Sequence, residues 1–178
     1  MSIDRLVESW KEVRAGLVEE AAQIPAEQFS FQATPETRSV RELLQHVVET
    51  QKTLVGEAVR PDTNLMRQSL PDHVREYAPE VAAVTDKNGL LELLRSSMET
   101  SEASIRAAGD NLQDTARSLS GKEVTKLDLL TFAVSHEMYH RGQLTVYERL
   151  LKVEPALTQR FNKLSARAAA NKAAENAS

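Results

Sequence analysis

The chain has 178 residues, enough for one domain whose core can enclose a polar site. Hydrophobic residues at 41% and charged residues at 27% exclude disorder for most of the length, and a net charge of −4 with 4% aromatics argues against nucleic acid, which needs a basic face and stacking side chains. Cysteine is absent, so disulfides, thiolate ligands and a cysteine nucleophile are excluded together, and any metal must be held by His, Asp or Glu.

Leu6, Trp10, Val13, Leu17 and Ile24 recur at helical spacing and predict an amphipathic helix from about Ile3 to Gln23, stopped by Pro25. The next stretch, to Arg38, has prolines and no helical period; it reads as a loop that lays Phe29 and Phe31 on the domain. Ser39-Val40-Arg41-Glu42 is a capping-box pattern and starts a second helix that runs to about Arg60. From Pro61 to Thr85 three prolines and scattered charges predict a crossover with a short helix, in which His73 is expected to be an exposed loop residue. Asp86 can cap a third helix that ends at Gly109. After a connection without a strand-forming segment, Thr125 to Asp128 repeats the capping-box logic and opens a fourth helix that reaches about Lys152, before Pro155. Four long helices with at least one long crossover make an all-α four-helix bundle over residues 1–155. Residues 156–178 form an Ala- and Lys-rich tail, expected to be a short fraying helix. No segment has the roughly 18 apolar residues of a membrane span, and the charged N-terminal segment is unlike a signal peptide, so a cytoplasmic protein without a membrane partner is expected.

The histidines carry the functional signal. His136 and His140 lie four apart on the fourth helix, about 40° apart on one face, with Leu129, Phe132, Ala133, Gln143 and Tyr147 on the same side. Both imidazoles therefore point at the core, and an unpartnered buried pair would be costly. His46 flanks the apolar stripe of the second helix, from which it can look across the bundle; a histidine pair plus one ligand from a facing helix gives three nitrogen donors and leaves a coordination position open. Arg141, Glu148 and Arg149 read as the solvated face.

His136-Glu137-Met138-Tyr139-His140 also spells H-E-x-x-H, the signature of zinc proteases. The extended pattern would place Gly three residues after His140 and His three further on, where Gln143 and Val146 stand, and none of the later acids, Glu148, Glu154 and Glu175, is well placed to return a carboxylate. Protease chemistry is disfavoured, with Glu137 kept as a candidate helper base.

Two stretches resemble a known family: Ser39-Val40-Arg41-Glu42-Leu43-Leu44-Gln45-His46-Val47, and Ser135-His136-Glu137-Met138-Tyr139-His140-Arg141-Gly142-Gln143-Leu144, which is similar to an H-x-x-x-H-R-G-Q-L segment. Both match the DinB-like (DinB/YfiT-like) superfamily of four-helix-bundle metalloenzymes, over roughly Ile3 to Leu151. The resemblance implies a metal triad of His46, His136 and His140, zinc or nickel as the ion, Gln143 close to the site, Gly142 as a close-packing residue, and a homodimer. Relatives include thiol-dependent transferases that use bacillithiol or related small thiols, and a mycothiol-dependent isomerase. The expected function is thus a metal-dependent thiol transferase or detoxification enzyme, whose partners are a small-molecule thiol and an electrophile; the alternatives are a non-catalytic metal-binding stress bundle and a metal-dependent hydrolase.

Overall fold

The computed structural model describes residues 2–176. Four long helices form the bundle: α1 (Ile3–Gln23), α2 (Val40–Ala58), α4 (Lys87–Ala108) and α5 (Lys126–Leu150). A short helix, α3 (Leu70–Tyr77), lies in the crossover, and α6 (Ala156–Asn176) follows the bundle. The expected starts are built by side chains. Ser39 and Glu42 close a capping box on α2, Thr125 and Asp128 close one on α5, and the Asp86 carboxylate accepts from the Gly89 amide at the head of α4. Gly109 ends α4 with φ +52°, a left-handed conformation that any Cβ would strain.

α1 and α2 each pack on both α4 and α5, which leaves α1 diagonal to α2 and α4 diagonal to α5. Contacts show the directions. On α1, Trp10 meets Glu137 and Glu20 meets Arg141, so α1 and α5 run parallel. On α2, His46 meets His136 while Arg38, just ahead of the helix, meets Tyr147, so α2 and α5 run antiparallel. α1 and α4 are antiparallel, since Asp4 pairs with Arg106 and Arg14 reaches Leu94. Hence α2 and α4 are parallel neighbours, and the chain must travel back along the bundle between them. That return is the reason for the long crossover with α3.

The crossover and the second connection are tied together. Thr115–Arg117 (β1) and Glu123–Thr125 (β2) form a small antiparallel hairpin where no strand was expected, and Asn64 bridges to Arg117 beside it. These strands are three residues each and carry little apolar pattern, so periodicity had nothing to detect. His73 is also unlike its expectation. It is fully buried on α3, with its Nε2 3.2 Å from the Leu65 carbonyl and its ring stacked on Tyr77, inside a cluster with Glu57 and Arg67. The polar sequence around it is the exposed side of an amphipathic turn.

The C-terminal segment forms a longer helix than the short one expected. α6 is a 21-residue helix whose first amides, Ala156 and Leu157, donate to the buried Glu20 carboxylate, with a further ion pair between Arg160 and Glu19. The last two residues of the tail, Ala177 and Ser178, lie outside the described residues. Two faces also differ from the helical wheel. Glu148 is fully buried rather than solvated, and the Arg141 guanidinium lies across Gly16, where an added Cβ would collide with it, and bonds Glu20 at 3.3 Å. α5 packs on both α1 and α2, so its buried face is too wide to leave these positions in water. Gly142, in contrast, borders open space and is not a packing glycine.

The core falls into two apolar clusters. One gathers Leu17, Val48, Leu94 and Leu144; the other gathers Trp10, Leu54, Met98 and Leu130. Between them, at mid-height on all four helices, sits a polar belt.

Candidate metal centre

The belt has an inner and an outer part. Inside, the Arg14 guanidinium forks onto Glu137, with Nε donating to Oε1 at 2.5 Å and Nη2 to Oε2 at 2.8 Å. Its other hydrogens go to Gln51, the Leu94 carbonyl and Ser97, and Trp10 Nε1 donates to Glu137 at 2.7 Å. Both charges are about 2–3% exposed and every arm is used, as burial of an ion pair demands. Glu137 is therefore not brought to the histidines. Its carboxylate faces α1 and is saturated by Trp10 and Arg14, so the helper-base role read from H-E-x-x-H has no support in this geometry.

The outer part is the three histidines. The α2 cap places His46 two turns into its helix, facing the α5 pair. His46 Nε2 lies 3.2 Å from His136 Nε2, which lies 3.0 Å from His140 Nε2, and one nitrogen from each of the three falls within 4.8 Å of the others. On the other side of its ring, His140 Nδ1 is 2.7 Å from Gln143 Oε1. An amide oxygen only accepts, so Nδ1 carries the proton and Nε2 presents a lone pair to the cluster. His136 Nε2, within 3.2 Å of both the other Nε2 atoms, cannot satisfy both, because one N–H can serve only one neighbour well.

Burial pushes the histidines towards their neutral form: His46 is held down to about 3 and His136 to about 4, chiefly by desolvation, with Arg38 and the neighbouring imidazoles adding to it, and His140 is lowered for the same main reason. Neutral imidazoles with converging lone pairs are the state a transition metal requires. The spacing fits as well: a metal about 2.0–2.1 Å from each nitrogen, with angles between square and tetrahedral, sets neighbouring nitrogens roughly 2.9–3.4 Å apart. Gln143 then acts as the partner that fixes the ring of His140 and does not itself reach the cluster.

Space opens beside the histidines. A polar cavity of about 700 Å³ is lined by His46, Gln143, Arg38 and Glu49, among others, and a more apolar one of about 500 Å³ shares His46, Arg38 and Glu49. Glu49 is half-buried, its pKa raised by burial, one turn beyond His46 on the same face. Sequence reasoning missed Glu49 and Arg38; the i, i+3 spacing of His46 and Glu49 was the signal available for the first. A second group of possible metal-binding side chains, Glu57, His73 and Glu76, already holds the Arg67 guanidinium between its carboxylates, so a cation occupies it.

Comparison with known proteins places this arrangement in context. The profile of the DinB family matches residues 1–173, and the chain belongs to that family. Among solved structures it is similar to a DinB-like protein of Bacillus subtilis, YjoA, at 20% identity and a TM-score of 0.63, over 83% of this chain and 92% of that one. YfiT of Bacillus subtilis, described as "a probable metal-dependent hydrolase with an unusual four-helix bundle topology", aligns at 17% identity and a TM-score of 0.68, over 86% and 91%. The mycothiol-dependent maleylpyruvate isomerase aligns at 12% identity and a TM-score of 0.64, over 81% of this chain and 61% of its own. At these identities the shared property is the four-helix-bundle fold. No curated protein matches the sequence.

Proposed function

We propose that this DinB-family chain is a metal-dependent enzyme acting on small molecules, in which His46, His136 and His140 hold one zinc or nickel ion. The observation that carries the reading is the conjunction of three neutral, converging imidazoles with cavities reaching their edge; a closed structural site would lack the opening. A divalent ion there supplies Lewis acidity and lowers the pKa of a bound thiol or water. The protein has no cysteine, so in a thiol transferase the nucleophilic sulfur comes from a small-molecule cosubstrate: its thiol proton passes to a base, the C–S bond forms at an electrophilic carbon, and the bond from that carbon to its leaving group breaks, the group departing with the electron pair. Glu49 is the carboxylate positioned to take the proton released, and Gln143 keeps His140 oriented.

Hydrolysis is the second reading. It is favoured by the same Glu49, which serves a water as readily as a thiol, and by the similarity to YfiT, a probable metal-dependent hydrolase. A stress-associated, non-catalytic role would leave the cavities unused. Exposed Tyr139, Val146 and Leu150 along α5 support a homodimer, checked by sedimentation of the wild type against a Val146→Glu variant.

The deciding experiment loads the protein with cobalt(II) and titrates 2-mercaptoethanol. A tetrahedral cobalt spectrum that gains a sulfur-to-cobalt charge-transfer band supports the thiol reading. Cobalt binding without that band, together with thiol-independent cleavage of an ester, moves the assignment to hydrolysis. Equal metal content in the wild type and the His136→Ala, His140→Ala variant removes both.

A further inference from the structure

The two cavities beside the histidines differ in character and share one cation. Arg38 lines both, on the last residue before the α2 cap, and its backbone is pinned by the Tyr147 hydroxyl, which donates to the Arg38 carbonyl at 2.9 Å. Its guanidinium makes no hydrogen bond or ion pair to another side chain among the described residues, although Arg14, Arg60, Arg67, Arg75, Arg106, Arg141 and Arg160 all do. It lines both cavities together with His46. Glu36, Glu42 and Glu49 line the polar cavity with it, but Glu42 is taken by the Ser39 cap and none of the three bonds Arg38, so a cation whose donors are unused at the junction of two cavities is placed for a ligand.

The apolar cavity supplies the other half. Its walls include Leu54, Leu65, Pro71 and Val74, and its mouth carries Leu70 and Phe132, both more than half or about half exposed at 52% and 50%. The Phe132 ring stands 5.9 Å from that of His136, so the apolar surface is continuous with the histidine cluster. Glu49 faces the same opening and would repel an anion. Glu49 makes no bond to Arg38, however, and one guanidinium set against one carboxylate suits a ligand with a single negative charge better than a polyanion.

We infer that the site binds an organic monocarboxylate with an apolar body: the carboxylate on Arg38, the body between α2 and the α3 crossover, and the reactive end towards the histidines. The inference deepens the proposed function and rests on it for the location of the reactive centre, while the recognition by Arg38 does not need the ion. A planar guanidinium offers a carboxylate two parallel N–H donors, which lysine could not, and the apolar walls gain from any ring or chain that displaces water there.

The test uses 3-phenylpropanoate and its uncharged amide, 3-phenylpropanamide, titrated calorimetrically into the full chain, with zinc content measured on the same samples with and without added zinc. The acid is expected to bind roughly tenfold more tightly than the amide. Arg38→Gln, at an exposed position where folding is not at stake, should erase that ratio, and Phe132→Ser should weaken both probes together. Equal binding of acid and amide overturns the inference, as does a ratio that survives Arg38→Gln or the failure of both probes to bind. Absence of zinc with the acid preference intact would instead count against the metal reading and leave the recognition by Arg38 standing.

Discussion

Neighbouring residues on α5, His136 and Glu137, belong to two polar clusters that differ in one respect. Around Glu137 every donor and acceptor is matched: Arg14 uses its whole fork, and Trp10, Gln51 and Ser97 close the remainder. Around His136 the imidazole nitrogens converge on each other with too few hydrogens to go round. A buried network that is complete has a structural task, since nothing can be added to it. A half-buried one that is incomplete, and open to a cavity, has room for a ligand. Two residues one apart in a motif can thus serve unrelated purposes, which the H-E-x-x-H spelling hides.

The strongest way to break this comparison is Glu137→Ala. It strands the Arg14 guanidinium in the core, and a loss of about 3–5 kcal/mol is expected in chemical denaturation. Glu137→Gln, which keeps the hydrogen-bonding shape, should cost less. A Glu137→Ala protein as stable as the wild type would show that the inner belt is not the complete network its distances suggest.

The opposite response is expected at the outer cluster. His136→Ala should leave the metal-free protein within about 1 kcal/mol of the wild type, because it removes a group whose nitrogen has no full partner. Zinc at 100 times its dissociation constant should stabilise the wild type by about 2.7 kcal/mol, and this gain should vanish in the variant. Thermal unfolding with and without zinc reads both. Destabilisation of the metal-free variant as large as that of Glu137→Ala would erase the distinction between the clusters.

How much of this was legible in the sequence follows the same division. The long helices and their starts were visible because caps and prolines act locally: Ser39 with Glu42, Thr125 with Asp128, Pro25, Gly109. The histidines could be gathered from one helical pair and one facing residue. What stayed hidden depends on which helix packs where. A wheel drawn for α5 alone sends Arg141 and Glu148 to solvent, whereas parallel packing against α1 sets them against Gly16 and Glu20. His73 looked exposed because its partners, Glu57 and Leu65, come from another helix and a loop. Arg38 and Glu49 gained meaning only when the cavities appeared.

A finer probe of the outer cluster is Gln143→Ala. Loss of the hydrogen bond to His140 Nδ1 frees the ring to rotate or to change tautomer, and metal affinity should fall about 10- to 100-fold while the metal-free fold is unchanged. Competition with a chromogenic chelator measures it. Unchanged affinity would mean that packing alone, without the amide, orients His140.

The smallest effect is expected from Glu148→Gln in acid. Burial beside Glu20 raises the Glu148 pKa to about 8, above the ordinary value of 4.5. A group with a raised folded pKa contributes stability that is fully present below the unfolded value and is lost as pH rises through the folded one. Below about pH 4 the carboxyl is protonated in both the folded and the unfolded chain, so glutamine replaces one neutral group by another of the same size and a change within about 1 kcal/mol follows. At pH 7 the unfolded carboxyl is ionised and folding must take up a proton, a cost the glutamine variant escapes, so the variant should be the more stable there. Between pH 7 and pH 9 the wild type should lose stability as the carboxyl ionises beside Glu20, which also accepts from the first amides of α6, and the variant should lose less. Parallel unfolding curves for the two proteins across that range would mean that the Glu148 carboxyl does not ionise there. The junction of α6 with the bundle would then be a third polar cluster as settled as the one around Glu137.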